Sequence, residues 1–134
     1  MYFSLEAAEP ELAGVGPRTR SALERVLPGP VLAVLPRGRG LRVPRIEGAL
    51  EPLRAVAEPV VQTSANLTGG PDPRRLADVP EELRAGADII LDGGELPGLA
   101  STVVDLRRYE SDATWDVLRE GALPAEELRI ALSS

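Results

Sequence analysis

A chain of 134 residues with 43% hydrophobic side chains is long enough to bury one core and too apolar to be disordered. It contains no cysteine, histidine or lysine, which excludes disulfides, thiol and histidine catalysis, the common zinc sites and Schiff-base chemistry, and leaves arginine as the residue for binding anions. The formal net charge of −6 argues against nonspecific binding to nucleic acids or anionic membranes. The sequence has no apolar run of bilayer length and no signal-peptide pattern, which predicts a cytoplasmic protein.

The first third of the chain predicts a helix followed by a buried strand. The pattern of residues 1–12 is mixed and indicates no definite element. Residues Pro17–Leu27 place their apolar side chains on one side of a helix, which Pro28–Pro30 ends. The aliphatic run Val31–Leu35 lies between two prolines and predicts a strand that is covered on both faces.

The turn after this strand is rich in arginine. Arg37 and Arg39 are interpreted as solvated charges that protect a sheet edge. Arg42 differs from them because it lies between two apolar residues in the extended segment Leu41–Val43. An arginine in such a segment needs a carboxylate or phosphate partner, so Arg42 is a candidate anion-binding residue.

A second helix and strand lead into a polar loop. Residues 46–57 have helical spacing, with Pro52 expected to shorten or kink the helix, and Pro59–Ala65 reads as a second buried strand. In the loop Thr63–Gly70, Ser64 and Asn66 offer hydrogen-bonding groups at a strand end, and two glycines let the backbone approach a phosphate. The alternative is a polar loop that bonds to itself, and the residues alone do not decide between the two.

The second half of the chain continues to alternate helices and strands. Because several of the strands are uniformly apolar, the pattern predicts a single α/β domain, residues 1–134, with a mixed or parallel sheet flanked by helices. Its predicted elements are a short helix at Pro80–Ala85, strands at Ala87–Leu91, Ser101–Leu106 and Trp115–Arg119, and a helix at Pro124–Leu132.

Two further positions carry polar groups at strand ends. The Ser101 and Thr102 hydroxyls either satisfy nearby backbone groups or face the first polar loop, and neither interpretation is favoured. Arg119 is either a salt-bridge residue or a phosphate ligand, and the residues favour the salt bridge.

Five segments, in order, resemble motifs of the YrdC-like domain family, the threonylcarbamoyl-AMP synthases of tRNA modification. They are Leu27–Pro36 (similar to WPGPLTLVL), Leu41–Pro44 (VRVP), Thr63–Gly69 (TSANLSG), Leu91–Gly94 with Ser101–Asp105 (DGG…STVVD) and Leu118–Ala122 (LREGA). The resemblance implies a twisted mixed sheet that binds ATP and L-threonine. It also implies that threonine and bicarbonate form a carbamate, which attacks the α-phosphate of ATP and expels pyrophosphate.

The same resemblance assigns ligands to individual residues. It implies that Arg42 binds the threonine carboxylate and that Ser64 and Ser101 contact threonine. ATP contacts are implied for Asn66, Arg119 and the backbone of Ala65, while Arg74 stands where the family often has a small hydroxyl residue. No residue is assigned as catalytic or as a metal ligand, because the nucleophile belongs to the substrate and Mg²⁺ arrives with the ATP phosphates.

One part of the family pattern has no counterpart here. Members open with a threonine-rich strand, a helix and a Lys-x-Arg motif that grips the triphosphate, and this sequence contains no lysine. We therefore expect a YrdC-like domain that lacks the first strand–helix segment, exposes an apolar sheet edge and is impaired in catalysis. Two lost charge-assisted contacts of ~1.5–3 kcal/mol each would weaken ATP binding by about a hundredfold to ten-thousandfold.

Three functions stay open on this basis. In the first, the chain is part of a synthase whose reading frame begins upstream of Met1. In the second, it is a non-catalytic protein that binds a nucleotide, an amino acid or RNA. In the third, it is a module whose exposed sheet edge pairs with a second copy or a partner. Partner proteins that transfer the threonylcarbamoyl group to tRNA are implied by the resemblance alone. Double-stranded RNA binding is credited to some relatives, and the acidic net charge gives it no independent support.

Overall fold

A four-stranded mixed sheet in the order β2-β1-β3-β4 organises the chain. The computed structural model describes residues 1–133. Strand β1 runs parallel to β3, whereas β1–β2 and β3–β4 are antiparallel pairs. The predicted α/β class with a mixed sheet is therefore confirmed. The strands are β1 (Val31–Val34), β2 (Gly40–Leu41), β3 (Thr102–Arg108) and β4 (Thr114–Arg119).

In residues 1–133 five α-helices accompany the sheet, and three of them match helices predicted from the sequence. Those three are α2, α3 and α5, each within one residue of its predicted limits. No helix within residues 1–133 is long and apolar enough to cross a membrane. The helices are α1 (Leu5–Leu12), α2 (Pro17–Val26), α3 (Glu81–Ala85), α4 (Tyr109–Asp112) and α5 (Ala125–Leu132).

Helix α1 was not predicted, although its start carries a recognisable signal. The Ser4 hydroxyl accepts a hydrogen bond from the Ala7 backbone N–H at 3.1 Å and so caps the helix. Ala8 and Leu12, one turn apart, are buried in the core. Pro10 lies inside the helix and obscured the pattern.

The core lies on one face of the sheet only. Val31, Ala33 and Val104 are fully buried there, against side chains of α1, α2 and α5. Leu32 and Val34, which alternate with them, are only half-buried. The prediction that this strand is covered on both faces is therefore wrong, because a single layer of helices covers the sheet and the opposite face opens into a cleft.

Two of the predicted strands, Pro59–Ala65 and Ala87–Leu91, do not form. Both segments lack strand structure and expose apolar side chains, with Val61 91% and Ile89 78% exposed. The one backbone pairing of the first segment is an exchange in which Val60 and Met1 each donate to the carbonyl of the other, at 2.9 and 3.0 Å. An apolar run predicts a preference for burial, but a strand also requires a neighbour with free backbone groups.

The predicted helix at residues 46–57 is shorter and of a different type. The structure has a 3₁₀-helix at Gly48–Ala55, and none of its residues is buried. Pro52 lies inside it and has no backbone N–H to give to an α-helical hydrogen bond. Two shorter 3₁₀ turns lie at Pro36–Gly38 and Leu76–Asp78.

Glu110 caps helix α2 from a distant part of the chain. Gly16 precedes the helix and supplies no side-chain cap. The Glu110 carboxylate instead accepts a hydrogen bond from the Thr19 backbone N–H at 2.9 Å, and the Arg18 guanidinium donates to the Glu110 carbonyl at 3.1 Å. The bond from the Thr19 backbone is the main cause that lowers the pKa of Glu110.

This cap predicts a pH-dependent part of the stability. Since the folded pKa of Glu110 lies below its unfolded value of 4.5, the contribution is present above pH 4.5 and is lost as the pH falls through the folded pKa. Glu110→Gln should lower the melting temperature at pH 7, and its deficit against the wild-type protein should shrink on acidification. Thermal unfolding from pH 7 to pH 3 measures both, with the exposed Glu58→Gln as the control. A deficit that is equal at every pH would contradict the assignment.

Candidate functional site

An open cleft of about 1310 Å³ lies on the sheet face opposite the core. The sheet forms one side of this cleft, and the long excursion between β2 and β3 forms the other. The structure brings six of the seven predicted site residues to its lining and leaves out Asn66. The six are Arg42, Ser64, Ala65, Arg74, Ser101 and Arg119.

Strand register places Arg42 and Arg119 on the same face of the sheet. The β1–β2 register, continued by one residue, sets Arg42 opposite Leu32. Leu32 pairs with Val103, and Val103 pairs with Arg119 on the last strand. Side chains in one such row across a sheet point to the same side. The two guanidinium groups, which are far apart in the sequence, therefore share the cleft.

Arg42 lies in the cleft without an anionic partner. It forms no ion pair with any residue from 1 to 133, and its Nε is buried without a hydrogen bond. Burial lowers the pKa of the Arg42 guanidinium, and repulsion from Arg119 lowers it further. A buried N–H without an acceptor is costly, so this geometry favours an anionic ligand at Arg42.

Arg119 is not the salt-bridge residue that the sequence favoured. Its Nη2 donates to the Ser101 carbonyl at 2.9 Å, and no carboxylate in the described part of the chain lies within ion-pair distance. That prediction is wrong because the residue just before β3 offers Arg119 a backbone oxygen instead of an acidic side chain. The backbone bond orients the guanidinium and leaves its charge free for a ligand.

Ser101 and Thr102 have different roles, which the sequence could not separate. The buried Thr102 hydroxyl donates to the Leu123 carbonyl at 2.6 Å and accepts from the backbone N–H groups of Gly121 and Leu123 at 3.0 and 3.1 Å. Ser101 is 8% exposed and lines the cleft, and no hydrogen bond engages its hydroxyl within residues 1–133. Thr102 therefore holds the turn that follows Arg119, and Ser101 presents a free hydroxyl.

Gly121 is required by the close approach of this turn to the start of β3. A Cβ atom at Gly121 would lie 2.1 Å from the Ala100 carbonyl oxygen and 2.7 Å from the Ser101 carbonyl carbon. The adjacent Ala122 N–H donates to the same Ala100 carbonyl at 2.8 Å, which holds the two segments together. A side chain here would push the turn away from Ser101 and disturb the cleft wall.

The loop Thr63–Gly70 makes the contacts expected of a polar loop that bonds to itself. The Asn66 amide donates to the Gly70 carbonyl at 2.6 Å and, at 3.4 Å, to Asp72 Oδ1. These bonds hold the Asn66 side chain within the loop. Ser64 and Ala65, by contrast, reach the cleft.

Arg74 enters the cleft already engaged. Its Nε donates to the Leu96 carbonyl at 3.1 Å, and its Nη2 lies 3.3 Å from the Glu95 carboxylate. The Arg75 guanidinium lies 3.6 Å from the same carboxylate. Since both residues share one acidic partner, their combined positive charge is only partly neutralised.

The cleft is locally positive within an acidic chain. Six arginines line it against three carboxylates, whereas the whole chain has a formal net charge of −6. Such a lining attracts anions. No cluster of three or more His, Cys, Asp or Glu side chains that could hold a metal ion occurs in residues 1–133. The arginines are Arg39, Arg42, Arg74, Arg75, Arg84 and Arg119, and the carboxylates are Glu11, Asp72 and Asp92.

Comparison with known proteins places this chain beside one family. The family model Sua5_yciO_yrdC, described as "Telomere recombination", matches residues 1–121. The threonylcarbamoyl-AMP synthase of Pyrococcus abyssi (strain GE5 / Orsay) is 33% identical over 119 residues, which cover 78% of this chain and 34% of that protein. The chain therefore spans about a third of the length of this curated relative. No solved structure matches the chain.

Proposed function

Since this chain belongs to the Sua5/YciO/YrdC family, we propose that its cleft binds ATP and L-threonine for the synthesis of threonylcarbamoyl-AMP. The observation that carries the proposal is a pair of arginines on one face of the sheet, Arg42 and Arg119, neither of which has a carboxylate partner among the described residues. A carboxylate and a phosphate are the anions that planar guanidinium groups bind best. The relative from Pyrococcus abyssi carries the name of this activity.

The proposed roles follow from the position of each side chain. Arg42, half-buried and with a free Nε, binds the threonine carboxylate. The free hydroxyl of Ser101 and the hydroxyl of Ser64 bind polar groups of threonine. Arg119, oriented by the Ser101 carbonyl, binds a phosphate of ATP. The Ala65 backbone, Asn66 and Arg74 complete the proposed nucleotide contacts, for which Asn66 must turn out of its own loop.

The proposed reaction needs alignment and charge neutralisation rather than a protein nucleophile. The threonine nitrogen and bicarbonate form a carbamate with loss of water. A carbamate oxygen then attacks the α-phosphorus, and the bond to pyrophosphate breaks. Arginines that hold the two reactants side by side favour this attack and stabilise the negative charge.

Mg²⁺ is proposed to enter with the ATP phosphates. The unpaired guanidinium groups of the cleft fit phosphate oxygens, and such a metal needs few protein ligands. When bound, Mg²⁺ neutralises phosphate charge. The protein's own contribution is to position the phosphates through Arg119.

A second candidate function is pairing through exposed strand-like segments. The segments 59–65 and 87–91 expose apolar side chains and pair with no strand of the sheet within residues 1–133, as a template for an added strand would. Size-exclusion chromatography separates the two candidates. A dimer that binds no nucleotide supports pairing, and a monomer that binds ATP supports the proposed site.

The 134-residue polypeptide is expected to bind ATP and to form little or no threonylcarbamoyl-AMP by itself. It contains no lysine and therefore has no Lys-x-Arg pair for the triphosphate. Calorimetry with MgATP measures binding, and chromatographic detection of the AMP adduct from ATP, threonine and bicarbonate measures turnover. Arg119→Ala should weaken ATP binding by about tenfold or more.

Arg129→Ala is the control for the ATP titration, because Arg129 is an exposed arginine that pairs with Glu126 on α5. Absence of ATP binding by the wild-type polypeptide would overturn the proposed function. Turnover comparable to that of a complete synthase would instead overturn the expectation of impaired catalysis.

A further inference from the structure

In the part of the chain that the structure describes, the Nε atom of a second cleft arginine, Arg84, also lacks a hydrogen-bond partner. Arg84 lies in the last turn of the short helix α3 and lines the cleft. Within residues 1–133, two buried side-chain nitrogen or oxygen atoms have no hydrogen-bond partner, and they are the Nε atoms of Arg42 and Arg84. Both belong to arginines of the same cleft. Buried polar groups are normally satisfied, so a ligand of this cleft would supply the acceptors that the two Nε atoms lack.

No residue from 1 to 133 provides a hydrogen-bond acceptor to the Nε atom of Arg84. Glu81 lies three residues earlier on the same helix, at a spacing that allows an ion pair, yet it remains exposed and unpaired with Arg84. The position near the helix C-terminus gives the arginine a favourable dipole interaction. That interaction acts on the charge and supplies no acceptor to Nε, so Nε is free to donate to a molecule bound in the cleft.

We propose that Arg84 binds the terminal phosphates of the nucleotide, an inference that rests on the proposed function of the cleft. Three of the six cleft arginines already have carboxylate partners: Arg39 with Glu11, and Arg74 and Arg75 with Glu95. Of the other three, Arg42 is assigned to a carboxylate and Arg119 to one phosphate. A triphosphate carries more negative charge than Arg119 neutralises, and a guanidinium fork fits phosphate oxygens. Among the arginines of the cleft, Arg84 is the one left without an ion pair to residues 1–133 and without an assigned ligand.

The test is to compare ATP with AMP, since only ATP carries the terminal phosphates. Calorimetric titration of the 134-residue protein with each nucleotide, in Mg²⁺, should show tighter binding of ATP. Arg84→Met should weaken ATP binding by about tenfold or more and leave AMP binding unchanged. Arg25→Met is the matched control, because Arg25 also lies in the last turn of a helix, is exposed and is outside the cleft.

Thermal unfolding separates this role from a structural one. Because the Arg84 Nε has no partner to lose, Arg84→Met should not lower the melting temperature. Three results for Arg84→Met would overturn the inference and leave the proposed function intact. They are an equal loss of ATP and AMP affinity, an unchanged ATP affinity, and a lower melting temperature together with weaker binding of both nucleotides. A wild-type protein that binds no ATP would overturn both.

Discussion

Replacing Arg42 with alanine is expected to weaken L-threonine binding by about ten- to a hundredfold, as loss of one charge-assisted contact of ~1.5–3 kcal/mol implies. The reason is that Arg42 is half-buried in the cleft, and its Nε has no hydrogen-bond partner in the described chain. The threonine affinity of Arg42→Lys should lie between those of the wild-type protein and Arg42→Ala, because lysine keeps the charge and lacks the planar fork. Calorimetric titration with threonine measures all three proteins.

A control and a stability measurement make this prediction specific. Arg45→Ala removes an exposed arginine three residues further on, outside the cleft, and should leave threonine binding unchanged. Arg42→Ala should not lower the melting temperature, since the guanidinium forms no ion pair in the described chain. Undiminished threonine affinity in Arg42→Ala would remove the carboxylate assignment.

The second large effect is expected at Thr102, on stability. Thr102→Val removes a fully buried hydroxyl that makes three hydrogen bonds and leaves the N–H groups of Gly121 and Leu123 without their acceptor. At ~1–3 kcal/mol for each of the two unsatisfied N–H groups, we expect a loss of about 2–6 kcal/mol in the free energy of unfolding. Urea denaturation followed by circular dichroism measures this loss.

Thr102→Ser is the matched variant, because it keeps the hydroxyl and loses one methyl group, at a cost of about 1 kcal/mol. Thr114→Val, at an exposed position in β4, is the surface control. The bonded turn also positions Arg119, so Thr102→Val should weaken ATP binding in the fraction that remains folded. Equal stabilities of the Val and Ser variants would show that the hydroxyl does not hold the turn.

The predicted site residues illustrate what a single sequence conveys about a binding site. Arg42 could be selected because a charged residue between two apolar ones contradicts the local pattern. Arg84 carries no such signal, since an arginine near the end of a helix is common. Its significance depends on a buried Nε without an acceptor, which is a property of the packed molecule. For Asn66 the sequence motif implied an ATP contact, whereas in the structure the side chain bonds within its own loop.

The failed strands at 59–65 and 87–91 have a related cause. Their aliphatic runs correctly report side chains that gain free energy by burial. They contain no information about whether another strand lies within hydrogen-bonding distance. In the described chain no sheet strand pairs with either segment, so both remain outside the sheet and exposed.

Local pattern by itself determined the elements whose limits are set by neighbouring residues. Hydrophobic periodicity with proline and glycine located α2, β1, β3, β4 and α5, and the absence of lysine and histidine left arginine as the cation of the site. Only the tertiary structure decided which residues meet. The pairings of β1 with β2 and β3, and of β3 with β4, brought Arg42 and Arg119 to one face. The bonds of Thr102 to the turn after β4 separated its role from that of Ser101. The helices packed against one face of the sheet, and the other face opened into the cleft. The physical reason is that spacing along a chain specifies which side of its own element a residue occupies, whereas the neighbour across the sheet depends on long-range register.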